Sequence, residues 1–286
     1  MIFRFIIASC FLLNLQINLR AADTLRIHLT YKHLLNDAGQ TTGYKTLKQQ
    51  FFTPEGIFFR EINYSESTGQ IASYIFNFYK NGRLATEECY KANDSLDFIM
   101  LHEYDDRGNE TAVSKLVPGK DQKLIAAEKS VFRYNSNQKV ASTKKFYMGK
   151  TGETAVYTYN SAGNLIRRKI SYKQSANADV NQEVRVYSYS ADNNLRLIMV
   201  SGKDKSGKTF QYKEEYSYEN NLLKSVKRFG TDGTLNSEKV YKYLDSGAPS
   251  LYEERDSAGK LNLLLQYDYK KHFMEIGTQK SYYENL

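Results

Sequence analysis

The sequence predicts an all-β chain, an elongated and twisted antiparallel meander of about 18 strands built from hairpin repeats. Three observations predict it. Clusters of Asn, Asp, Gly and Ser recur roughly every 14 residues, at the spacing of short strands joined by tight turns. The segments between them alternate in polarity with a period of two. The 24 Tyr and 15 Phe, in a chain with no Trp and only 3 Pro, suit half-buried sheet surfaces better than a compact globule or a helical bundle. Leu, Ile, Val and Phe (27, 15, 11 and 15) sum to 68 of 286 residues, enough to fold.

The amino terminus reads differently. Arg4, an apolar stretch from Phe5 to Leu19 and the small residues Ala21 and Ala22 form a secretory signal over residues 1–22, followed by a single repetitive β-sheet domain over 23–286. Ile7-Ala8-Ser9-Cys10 also resembles a lipobox, which would anchor the chain through an acylated Cys10. No later segment is long or apolar enough for a membrane-spanning helix. The expected location is periplasmic or extracellular.

Turns follow at 36–39, 53–56, 65–69, 80–82, 91–95 and 105–109, and continue to about 270. All three prolines, Pro54, Pro118 and Pro249, are expected in turns. In the segment 165–172, Ile166, Ile170 and Tyr172 share one face, and Arg168 is a misfit on it. Tyr104, Tyr134, Tyr159, Tyr189, Tyr218, Tyr243 and Tyr269 recur at intervals of 25 to 30, and five of them end a Tyr-x-Tyr pair. Because Tyr-x-Tyr places both rings on one face, Tyr134, Tyr159, Tyr189, Tyr218, Tyr243 and Tyr269 form a candidate structural or docking ladder.

The pattern Tyr-x-Tyr-[Asp/Asn]-x-x-Gly-x-Leu resembles the YD repeat of RHS proteins. Tyr157, Tyr159, Asn160, Gly163 and Leu165 match it, Tyr104, Asp105 and Gly108 match it in part, and residues 79–84 resemble a MORN-type hairpin. The resemblance covers residues 75–270 and implies a bacterial envelope protein of stacked hairpins. RHS proteins build large hollow β shells around a toxin, and this chain is too short for one.

Candidate chemistry dissolves on inspection. Residues 202–209, GKDKSGKT, fit a phosphate-loop expression, but an alternating strand follows where a helix is required. His28, His33, His102 and His272 are dispersed, so no metal site is expected. Cys89 reads as a strand thiol. Glu87/Glu88, Asp105/Asp106, Glu214/Glu215 and Glu253/Glu254 are adjacent carboxylates, which a strand points to opposite faces. The charge of +8 is spread along the chain, and nucleic-acid binding is not expected. Runs such as Arg167-Arg168-Lys169 charge both faces of a strand, which argues against a lipid-facing barrel. The expected protein has no cofactor and no catalytic residues. The expectation is a scaffold or binding partner for another macromolecule, an envelope protein such as a component of an outer-membrane machine; the alternative is a glycan or anionic-polymer binding module.

Overall fold

The computed structural model describes residues 24–121, 123–173 and 180–273. The leader, with Cys10, lies outside the described residues. Eighteen strands follow one another: β1 (Thr24–Leu35), β2 (Thr41–Phe52), β3 (Phe58–Tyr64), β4 (Ile71–Lys80), β5 (Arg83–Lys91) and β6 (Leu96–Tyr104). Next come β7 (Glu110–Pro118), β8 (Leu124–Tyr134), β9 (Val140–Tyr147), β10 (Lys150–Tyr159), β11 (Leu165–Tyr172) and β12 (Val180–Tyr189). The series ends with β13 (Leu195–Asp204), β14 (Thr209–Glu219), β15 (Leu222–Phe229), β16 (Leu235–Tyr243), β17 (Pro249–Asp256) and β18 (Leu261–Phe273). Each strand pairs antiparallel with the next.

The last strand also pairs with the first. β1 and β18 run antiparallel from Thr24 opposite Phe273 to Lys32 opposite Leu265, so the sheet closes into an up-and-down barrel. The open, elongated meander expected from the sequence is therefore corrected. The resemblance to RHS/YD-repeat and MORN-type hairpin arrays falls with it, because a ring whose ends pair is a different architecture from an open stack of hairpins. The physical reason is the edge: an open sheet of this width leaves two rows of unpaired backbone groups, and closure satisfies both.

The turns explain why the strands begin and end where they do. In the commonest turn, an Asn, Asp or Ser begins the loop, its side chain accepts backbone N–H groups, and a Gly in the left-handed region ends it. Asn160 is typical: its Oδ1 accepts from the Asn164 N–H at 2.9 Å, while Gly163 adopts φ +81° and donates to the Asn160 carbonyl at 3.0 Å. Pro54 lies in a turn, whereas Pro118 closes β7 and Pro249 opens β17. The two strand prolines thus sit at ends, where a missing N–H is tolerated.

Following the register around the ring assigns every side chain to one of two faces. One carries Tyr157, Tyr159, Tyr187, Tyr189, Tyr212, Tyr216, Tyr241, Tyr252, Tyr267 and Tyr269 and is here termed the tyrosine face. The most deeply buried residues, Ala155, Ile170 and Val200, also lie on it. Because the most deeply buried side chains gather on the tyrosine face, we infer that it is the inner wall.

Arg168, the misfit of its segment, is at home there. Its guanidinium lies 3.7 Å from Glu153 and 5.6 Å from the centre of the Tyr157 ring, while Arg167 and Lys169 are exposed on the opposite face. That opposite face carries mid-strand ion pairs, Lys213 with Glu215 at 2.7 Å and Lys242 with Glu253 at 2.9 Å.

Candidate functional site: the tyrosine rim

The even-numbered strands end at one rim of the barrel, and the recurring tyrosines stand there. Tyr134 donates its hydroxyl to the Glu110 carbonyl at 2.7 Å, Tyr159 to Val140 at 2.9 Å and Tyr189 to Leu165 at 2.9 Å. Tyr243 donates to Leu223 at 2.9 Å and Tyr269 to Pro249 at 2.8 Å. Tyr79 and Tyr104 do the same with Phe58 and Leu84. Each accepting carbonyl belongs to the first or second residue of the strand before, so these seven tyrosines each tie a strand end to the preceding strand's start across the rim.

A bulge makes this possible. The register shifts by one residue at Tyr79, Tyr104, Tyr134, Tyr159, Tyr189, Tyr218 and Tyr243, which turns the ring along the rim. All six tyrosines of the candidate ladder are half-buried. Burial pushes the phenols of Tyr134, Tyr159, Tyr189, Tyr218 and Tyr269 above their ordinary value, which keeps them protonated as donors. At the seam the chain of hydroxyls gives way to stacked rings. His28 lies 4.7 Å from Tyr269 and 4.3 Å from Phe52, and Phe52 lies 5.2 Å from Phe58, whose carbonyl accepts from Tyr79.

Below the rim, the inner wall is polar and paired. Arg185 Nε lies 2.6 Å from Glu183, Tyr216 donates to Glu214 and Tyr252 to Glu254, each at 3.1 Å, and the Arg228 guanidinium sits 3.7 Å over the Tyr212 ring. His102 stands between two carboxylates, its Nδ1 2.7 Å from Glu110 and its Nε2 3.0 Å from Glu87. Each adjacent carboxylate pair on a strand is split between faces: Glu214 meets Tyr216 inside while Glu215 meets Lys213 outside.

The other candidates take structural places. Residues 202–209 form the β13–β14 hairpin, where Asp204 Oδ1 already accepts the Lys208 N–H at 2.9 Å and Gly207 donates to the Asp204 carbonyl. Cys89 is buried, and burial pushes its thiol up, away from the reactive thiolate.

No protein-family model and no curated protein sequence matches the chain. Among solved structures, it is similar to a porin-like protein from Bacteroides uniformis at 12% identity, over 86% of this chain and 96% of that one, with a TM-score of 0.41. A porin-like protein from Bacteroides vulgatus aligns at 10% identity over 84% and 97%, with a TM-score of 0.37. The Photorhabdus luminescens Tc holotoxin pore aligns at 12% identity over 82% of this chain and 19% of that one, with a TM-score of 0.29. The chain itself defines a closed, all-antiparallel barrel with a tyrosine-laced rim.

Proposed function

We propose that the protein is a non-catalytic β-barrel of the cell envelope that holds another envelope macromolecule at its tyrosine rim. The carrying observation is the rim itself: hydroxyl-to-carbonyl bonds from Tyr79, Tyr104, Tyr134, Tyr159, Tyr189, Tyr243 and Tyr269 fix aromatic rings along it, a rigid and preorganised surface. The leader of residues 1–22 supports export. Charges such as Lys169 and Lys213 on the outer face support a barrel bathed in water, since a lysine at a bilayer midplane costs about 2–4 kcal/mol. With no free sheet edges, a partner has to engage a rim or a face.

The test is site-specific photo-crosslinking in native envelopes, with the reactive residue at Asn193 on the tyrosine rim or at Gly149 on the opposite one. One discrete envelope adduct from Asn193 and none from Gly149 supports the reading. Equal labelling from both rims, or a protein that stays in the cytoplasm, refutes it.

A second reading, a glycan or anionic-polymer binding module, is favoured by one observation: a rim notch lined by Lys80, Asn81, Arg83, Ala85, His102 and Tyr104 contains no carboxylate. Retention of the purified barrel on envelope polysaccharide, lost at high salt, supports it.

A further inference from the structure

We propose that the notch beneath the β4–β5 turn is a binding site for an anionic sugar, a carboxylate or phosphate carried on one saccharide unit. The proposal rests on the glycan-binding reading and names its ligand. It starts from a break in the repeat. Two residues before the rim tyrosine, β10, β12, β14, β16 and β18 carry Tyr157, Tyr187, Tyr216, Tyr241 and Tyr267. At the same place β4 carries Asn77 and β6 carries His102. Both hairpins lack the phenol that stands there elsewhere, and beside His102 a cavity of about 320 Å³ opens. That volume lies at the lower end of small-ligand pockets, the size of one sugar.

The charge of the cavity is set by what is already spent. Glu87 and Glu110 are the carboxylates closest to His102, and both are engaged by its ring nitrogens. Lys80 and Arg83, in contrast, have no carboxylate partner among the described residues, whereas Lys32, Lys48, Lys145, Arg168 and Arg185 of the inner wall do. Arg83 is nonetheless held in place. Its guanidinium lies 5.7 Å from the centre of the Tyr104 ring and passes so close to Gly108 that a Cβ there would stand 2.4 Å from Nη2. The Tyr104 ring is fixed in turn by its bond to the Leu84 carbonyl at 2.9 Å.

An unpaired guanidinium that is positioned before any ligand arrives suits an oxyanion, which it can grip with two parallel bonds. Lys80 adds a mobile charge on the tight turn at Asn81 and Gly82 (φ +52° and +73°). The Tyr104 ring offers an apolar wall for a sugar. The adjoining notch between Tyr104 and Tyr134 has Asp105 and Asp106 in its lining and lacks this preference.

Calorimetric titration of the full chain with D-glucuronate, glucose 6-phosphate and glucose tests the proposal. Saturable binding of at least one anion is expected, with glucose at least tenfold weaker; the stronger anion tells whether carboxylate or phosphate is the natural group. Arg83→Gln and Lys80→Gln should each weaken it tenfold or more, while Lys150→Gln on the opposite rim leaves it unchanged. Lys80 is exposed at the end of β4, so its variant remains informative if Arg83→Gln fails to fold. No binding of either anion, equal binding of glucose, or binding indifferent to Lys80 and Arg83 overturns the proposal. If the anions fail but polysaccharide retention persists, the site falls and the glycan reading stands; if both fail, both fall.

Discussion

The hydroxyl of Tyr189, at the end of β12, donates to the carbonyl of Leu165, at the start of β11, at 2.9 Å. One phenol thus ties the end of β12 to the start of β11 across the rim. Tyr189→Phe keeps the ring and removes only this bond, and should cost about 0.5–1.5 kcal/mol in chemical denaturation. Tyr189→Ala also removes a half-buried ring and should approach the lower end of the roughly 3–5 kcal/mol range for large aromatics. Equal effects of the two would mean that the hydroxyl bond is not what matters.

Closure is tested at the seam. Lys32 faces Leu265 across β1 and β18, as near as any cross-strand pair. Lys32→Cys with Leu265→Cys should form an intramolecular disulfide under mild oxidation, read as a faster-migrating band on a non-reducing gel. An open sheet would hold these strands about 80 Å apart, 17 spacings of roughly 4.8 Å, and no bridge would form.

Alkaline pH should unfold the barrel together with tyrosine ionisation. Burial and the neighbouring Asp94 push the Tyr74 phenol up to about 12, and burial raises many phenols of the rim and inner wall. The unfolded chain ionises near the ordinary phenol value of about 10. Stability is therefore complete below pH 10 and is lost as pH climbs from 10 towards 12, because the unfolded state gives up protons first. Tyrosinate absorbance at 295 nm and far-ultraviolet dichroism should change in step. Smooth ionisation without loss of dichroism would contradict it.

Two glycines should fail for different reasons. Gly233 has φ +81° and open space around it, so Gly233→Ala should cost about 1–2 kcal/mol from backbone strain alone. Gly233→Asn should recover much of that. Gly202 has an ordinary φ, but a Cβ there would lie 2.3 Å from the Gln182 carbonyl and 2.5 Å from the Phe210 ring. Gly202→Ala should cost about 3 kcal/mol, as overpacking does, and Gly202→Asn should be worse. Thermal melts of the four variants decide.

Much of this was legible locally. Tyr159, Asn160, Gly163 and Leu165 announced strand end, turn and strand start, and the structure places each so. The pairing of Thr24 with Phe273 was not legible, because nothing near either residue records a partner some 250 positions away. The run Arg167-Arg168-Lys169 argues against an outer-membrane barrel, which needs one uninterrupted lipid-facing set. Arg168 turns inward to Glu153, and charge on both faces argues against lipid without arguing against closure. The rim notch did leave a signal. Asn77 and His102 interrupt the column of Tyr157, Tyr187, Tyr216, Tyr241 and Tyr267, and comparing repeats position by position would have exposed it.

The seam between β1 and β18 alters how the molecule can come apart. A linear stack of hairpins frays from its ends, where a terminal strand has one neighbour to leave. Here every strand has two, so the first to depart must break two ladders at once and gains little chain freedom while its connections still hold. Opening then has a high threshold, after which all the hairpins are equally exposed. Such a molecule resists slow attrition and fails abruptly, and its lifetime is governed by the rate of that first breach.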